Sequence, residues 1–206
     1  MNNRSGRRRV SDGPERHPRT IVFNKPYAVL PCFTDPEGRP TLAQYVDVPG
    51  VYAAGRLDRD SEGVMILTAD GALAHRITDP AHALEKVYWA QVERIPDDAA
   101  FERLRRGVVL SGKRTRPAQV RLLADEPPVP ARPVPIRFRK QVPTAWVELV
   151  ITEGMNRQVR RMTAVVGYPT LRLIRVAIGP VTLGSLPVGQ WRDMTHQELE
   201  QLTRRR

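Results

Sequence analysis

Residues 51–68 read VYAAGRLDRDSEGVMILT. Two apolar runs of strand length, VYAAG (51–55) and GVMILT (63–68), flank a connection that carries Asp58, Asp60 and Glu62 between two glycines. Arg56 and Arg59 stand on either side of the first carboxylate. A strand feeding an acidic loop and a strand leaving it predict a sheet with its chemistry on a connection, where a rigid scaffold can present side chains. The bland alternative is a solvated hairpin tip.

Outward from this stretch, TIVFN (20–24), KVYWAQVE (86–93), TAWVELVIT (144–152) and TLRLIRVAIG (170–179) predict strands, with shorter ones at VVL (108–110) and QVRLL (119–123). In KVYWAQVE the period of two puts Lys86, Tyr88, Ala90 and Val92 on one face and Val87, Trp89 and Gln91 on the other. Helices are predicted at DGALAHRIT (70–78), stopped by Asp79-Pro80, and at DDAAFERLRRG (97–107), capped by Asp97 and ended by Gly107. NRQVRRMTAVVG (156–167) reads as a helix capped by Asn156, and THQELEQL (195–202) opens with a capping box from Thr195 to Glu198. PTLAQYV (40–46) starts like a helix with Thr41 as N-cap. Pro127, Pro128, Pro130, Pro133, Pro135 and Pro143 make 125–143 an irregular excursion, since proline forbids helix interiors and central strands. Strands and short helices mix without a regular βαβ alternation. The fold class is α+β, a mixed and mostly antiparallel sheet flanked by short helices.

The chain has 206 residues and a formal net charge of +11. Its length suits one domain or two packed subdomains. A field of that sign favours a polyanionic partner, nucleic acid or an anionic membrane surface. No apolar run approaches the roughly 18–20 residues of a membrane span, and the basic N-terminus is followed by no hydrophobic segment. Cys32 is the single cysteine, so no internal disulfide and no cysteine–histidine zinc set is expected, which fits a reduced, cytoplasmic setting. Residues 1–19 hold Arg4, Arg7, Arg8, Arg9, Arg16 and Arg19 among small polar residues and proline, and predict a disordered basic arm.

Three places carry chemistry. On a helix at 156–167, Arg157, Arg160 and Arg161 fall on one face, and Val159, Met162 and Val166 on the other. Three crowded cations call for an anion to answer them. In the acidic loop, a carboxylate can be a nucleophile, a general base or a metal ligand. Alternate residues of an extended segment point to opposite sides, which is poor geometry for one metal ion, so Asp58, held between two arginines, is the strongest candidate. Tyr88 is the third, as an aromatic that stacks on a base or as ordinary core.

In their order and spacing, FNKPYAVL (23–30), GRLDRDSEGVMILTADG (55–71), KVY (86–88), EGMNRQVRRMTAVVGYPTLRLIR (153–175) and VGQWRDMT (188–195) resemble the ribosomal RNA pseudouridine synthases of the RsuA family. The likeness is nearest to its large-subunit members that lack an N-terminal S4 RNA-binding domain. It implies the pseudouridine synthase catalytic fold over residues 20–203, in two packed subdomains, with no S4 domain. The implied activity turns a uridine of 23S ribosomal RNA into pseudouridine without cofactor or metal. The family's aspartate falls on Asp58, its active-site tyrosine on Tyr88, and the basic partner of the aspartate on Arg160. The resemblance puts Arg56 in the space left by the flipped base, and Arg59, Arg157 and Arg161 are expected on the RNA. The expected partner is 23S rRNA or a large-subunit assembly intermediate, met by a monomer. The competing reading is a non-catalytic rRNA-binding or ribosome-assembly protein, with a metal-dependent nuclease or glycosidase behind it.

Overall fold

The computed structural model describes residues 18–136 and 142–204. Most of the basic arm, together with Arg137, Arg139 and Lys140 of the proline-rich excursion, lies outside the described residues. The elements in chain order are β1 (Thr20–Lys25), β2 (Tyr52–Ala53), β3 (Glu62–Thr68), α1 (Gly71–Thr78), β4 (Lys86–Glu93), α2 (Asp98–Arg105), β5 (Val109–Leu110), β6 (Lys113–Arg114), β7 (Gln119–Leu122), β8 (Thr144–Ile151), α3 (Gln158–Val165), β9 (Thr170–Ile178), β10 (Val181–Thr182), β11 (Trp191–Asp193) and α4 (His196–Thr203).

One continuous sheet runs β11-β1-β3-β9-β4-β8-β7, with β2 added on β3 and β10 on β9, and β5–β6 form a separate hairpin. Among the described strands every pairing is antiparallel except β3 with β9. The sheet is therefore mixed and mostly antiparallel, as its sequence predicts.

Both faces of the sheet are covered, and this explains why GVMILT is continuously apolar instead of alternating. Ile21, Phe23, Met65 and Leu67 belong to the larger buried cluster, which also holds Phe101 and Leu104 of α2 and Val159 and Met162 of α3. Their neighbours Val22, Val64 and Ile66 go to the opposite face, against Leu73 and Ile77 of α1 and Leu202 of α4. Phe23, Met65 and Ile66 are all fully buried, and each such side chain contributes about 1.5–3 kcal/mol.

The parallel junction brings two backbones unusually close. Gly63 pairs with Arg175 at φ +103°, and a Cβ there would stand 2.2 Å from the Arg175 carbonyl oxygen. Only glycine combines that dihedral with that approach. Gly63→Ala is expected to cost about 3 kcal/mol and to lower Tm by about 6–12 °C. Thermal and urea unfolding check this; a loss below about 1 kcal/mol would mean that the two strands part freely here.

On its other side β9 slips against β4. Val87 faces Ala177 but Tyr88 faces Arg175, leaving Val176 as an extra residue. Such a bulge re-aims side chains. Here it sets Tyr88 and Arg175 directly opposite each other, on the same face of the sheet.

Of the four predicted caps, Asp97 and Thr195 form, whereas Thr41 and Asn156 do not. Asp70 accepts from Ala72 N and Leu73 N, Asp97 accepts from Ala100 N, and Thr195 and Glu198 form the expected capping box. Two starts differ. Thr41 makes no cap hydrogen bond; it sits in an extended bridge with Leu30, and only a short 3-10 turn, Leu42–Gln44, follows. α3 begins one residue later than predicted, with Arg157 instead of Asn156 at the cap position, because Gln158 folds back, accepting from Met155 N (2.8 Å) and donating to Glu153 Oε1 (2.6 Å). Arg157 is thereby placed in the left-handed region at φ 48°.

Candidate active site

The acidic loop leaves β2, hydrogen-bonds back to β3 through Ala54 N and Ile66 O, and closes on a turn from Ser61 N to Asp58 O (3.1 Å). Lys25, at the end of β1, braces it from below. Its fully buried Nζ donates to Pro26 O (2.7 Å), Val29 O (2.8 Å) and Arg59 O (3.3 Å), and burial pulls its pKa down to about 7.

The three carboxylates have different surroundings. Glu62 is buried in a two-armed pair with Arg172, which donates through Nε (2.9 Å) and Nη2 (2.8 Å). Arg172 also donates to Pro130 O, tying the proline-rich excursion to the sheet. Asp60 takes two bonds from Arg157, at 2.7 and 2.8 Å, and these hold its carboxyl below the usual carboxylate range. Asp58 alone of the three accepts no hydrogen bond on its carboxylate among the described residues; its nearest cation is Arg157, with Nη1 3.7 Å away. Two acids therefore build the loop, and the third stays available.

Arg160 does not take the position expected of it. Its Nη2 donates to the Asp60 backbone oxygen (2.6 Å), its Nη1 to Thr170 O (3.2 Å), and its Nε stands 3.5 Å from the Asp60 carboxylate. Arg157 is the arginine beside Asp58. The helix face read as three parallel guanidiniums diverges, because Arg157 lies before the first helical turn and Arg161 donates to Ser111 Oγ (2.6 Å) on the β5–β6 side. Arg59 turns out to solvent and donates to Ala28 O (3.3 Å).

Asp58 and Arg56 line a cavity of about 190 Å³, and Tyr88 with Lys86 from β4 and Arg175 from β9 also line it. Arg157 from the start of α3 stands on its wall. Tyr88 is 8% exposed, whereas Arg56 is well exposed. Burial, helped by the nearby charges of Arg175 and Arg116, lowers the pKa of Lys86 to about 8. The space suits a group of single-base size more than a drug-sized ligand, for which pockets of about 300–1,000 Å³ are usual. A free carboxylate and an aromatic hydroxyl in one small cavity can attack or deprotonate a ring-sized substrate, and the exposed arginine suits a phosphate-bearing one.

Lys25, Lys86 and Arg175 were not singled out from sequence. For Arg175 a signal is present, since Arg172 and Arg175 interrupt an otherwise apolar strand. Also unforeseen is a cluster of the exposed His75 and His82 with the half-buried Asp79, spaced i, i+4, i+7, with ligand atoms within 4.8 Å of one another, next in sequence to the cavity-lining Thr78 and Pro80.

The family model described as RNA pseudouridylate synthase matches residues 19–165. A ribosomal large subunit pseudouridine synthase E from Xanthomonas campestris pv. campestris is 57% identical over 174 residues, covering 84% of this chain and 93% of that protein. Its namesake from Vibrio parahaemolyticus is 52% identical over 176 residues, covering 85% of this chain and 74% of that one. A solved structure described as a crystal structure of pseudouridylate synthase is similar with a TM-score of 0.75 at 31% identity, over 91% of this chain and 74% of that one.

Proposed function

The chain belongs to the RNA pseudouridylate synthase family, and on that premise we propose that it converts one uridine of 23S ribosomal RNA to pseudouridine, with Asp58 as the catalytic carboxylate. The observation that carries the assignment of Asp58 is its carboxylate, which accepts no hydrogen bond among the described residues and has only the 3.7 Å approach of Arg157, in the same small cavity as Tyr88, while Asp60 and Glu62 are bonded two-armed to arginines. Asp58 either attacks C1′ of the nucleoside or removes the C2′ proton to leave a glycal. In both routes the N1–C1′ bond breaks, the base turns, and C5 rejoins C1′. Tyr88 stacks on the base and assists loss of the C5 proton.

The target must leave the base stack, because its glycosidic bond is out of reach inside a duplex. Arg56, exposed at the mouth, fills the vacated space. Arg157 positions Asp58, while Arg160 fixes the backbone at Asp60 and so the loop around it. The chemistry draws on no cofactor or metal. The substrate is 23S rRNA or an assembling large subunit in the cytoplasm, and the enzyme works as a monomer. No described helix is long and apolar enough to cross a membrane.

The direct test is to incubate the protein with 23S rRNA and map new pseudouridines; RNA binding with none formed would favour the non-catalytic alternative. The arm makes a separate expectation. Residues 1–17 carry Arg4, Arg7, Arg8, Arg9 and Arg16. Deleting them is expected to weaken binding to all RNAs alike. The slope of log affinity against log salt should flatten by about 0.7–0.9 for each phosphate no longer neutralised. The modified uridine stays the same. Loss of site choice at unchanged affinity, followed by filter binding and pseudouridine mapping, would instead make the arm a reader of sequence or shape.

A further inference from the structure

Arg175 is the unexplained charge in this cavity. It lies on β9 at the centre of the sheet and is only 4% exposed. Its Nε donates to Val64 O (2.8 Å), but its Nη2 is buried with no hydrogen-bond partner, and no carboxylate pairs with it among the described residues. Arg172, on the same strand, is also buried and has Glu62 in a two-armed bond. A buried guanidinium left without a counter-ion is costly, and a fold tolerates one where a ligand supplies the missing acceptor.

The surroundings agree. The bulge at Val176 faces Arg175 to Tyr88 across the strands, and both line the cavity with Asp58. Lys86 lines it too, and the charge of Arg175 is among the causes that disfavour the Lys86 ammonium. This side of the cavity gathers positive charge that no carboxylate among the described residues pairs with.

We propose that Arg175 is a further catalytic residue, whose Nη2 donates to a carbonyl oxygen of the target base and balances the negative charge that base acquires when its glycosidic bond breaks. The inference rests on the proposed uridine isomerisation. In either route the electron pair of the N1–C1′ bond leaves with uracil, and the charge spreads over N1, O2 and O4. C1′ is then held by the Asp58 carboxylate, or joins C2′ in the glycal with the C2′ proton on Asp58. C5 next returns an electron pair to C1′ as the Asp58–C1′ ester bond breaks, or as Asp58 gives its proton back to C2′ of the glycal; the C5 proton then leaves to solvent with the help of Tyr88, and Asp58 ends as a carboxylate. Arg175 transfers no proton; it lends a hydrogen bond and a charge, in the manner of an oxyanion-hole donor. Where the oxygen met is O4, the same donor faces the amino group that cytosine carries there and so also favours uracil; at O2 the two bases are alike.

The test compares wild type, Arg175→Met and Arg175→Lys in single turnover on a 23S rRNA fragment bearing uridine or 5-fluorouridine at the target, read for both bases as loss of the N1-linked nucleoside, because fluorine at C5 leaves no proton to be lost in the final step. Loss of one such donor costs about 10²–10³ in rate, so Arg175→Met is expected to be about 100-fold slower on uridine, with RNA affinity within about threefold of wild type. Fluorine stabilises the base anion, so the deficit shrinks to less than about tenfold on 5-fluorouridine. Arg175→Lys, which keeps a charge without the fork, falls between, and carries the comparison if melting curves show that Arg175→Met does not fold. A merely structural role slows both bases equally, and that result overturns the proposal. So does an Arg175→Met rate on uridine within about threefold of wild type. If wild type itself forms no pseudouridine, the uridine reading falls and this inference falls with it.

Discussion

Asp58→Asn is expected to lower pseudouridine formation by about 10⁴-fold or more while RNA affinity stays within about threefold of wild type. An amide has neither the nucleophilicity nor the basicity of a carboxylate, and either route begins with one of the two. The change is nearly isosteric and breaks no hydrogen bond, because the Asp58 carboxylate accepts none among the described residues; its 3.7 Å approach to Arg157 is long. The fold therefore has little reason to suffer, and phosphate contacts that set affinity lie elsewhere. Asp60→Asn is the matched control. It sits two residues away but gives up the charge in a two-armed bond with Arg157, so it costs loop order and a modest part of the rate. Quantifying pseudouridine in single turnover, with binding measured in parallel, checks both. Turnover by Asp58→Asn within about tenfold of wild type would remove Asp58 from the chemistry.

Tyr88→Phe is expected to lose about 10²–10³ in the single-turnover rate with Tm and RNA affinity nearly unchanged. The ring is 8% exposed and packs in the core beside Ala90, so phenylalanine keeps its apolar neighbours. What goes is the hydroxyl, which makes no hydrogen bond to protein among the described residues and stands in the cavity with Asp58. If affinity weakened and the chemical step did not, Tyr88 would be a stacking platform for RNA and no more.

The two residues differ from the arginines around them in how they could be read from the chain. Asp58 and Tyr88 lie in short motifs, GRLDRDSEG and KVY, recognisable from residue types and order alone. The same is true of β4, whose alternation gives the faces of Tyr88 and Trp89, and of α2 and α4, whose caps at Asp97 and Thr195 need only residues three positions apart. Where a side chain competes locally for the backbone, periodicity misleads. Gln158 takes over the start of α3, so Arg157 leaves the helix and reaches Asp60, and the face expected from a period of 3.6 does not exist.

By itself the sequence determined the main strands, the caps at Asp97 and Thr195, the excess of positive charge and the acidic loop that carries Asp58, because each depends on interactions within a few residues or on composition alone. Only the tertiary structure decided which arginine serves which acid. Arg157 meets Asp60 across 97 positions and Arg172 meets Glu62 across 110, so neither pairing leaves a trace in any local window. The parallel joining of β3 to β9 and the bulge that turns Arg175 to face Tyr88 are likewise set by how distant strands settle against two packed faces, where burial and close backbone approach, at Gly63 above all, choose the register.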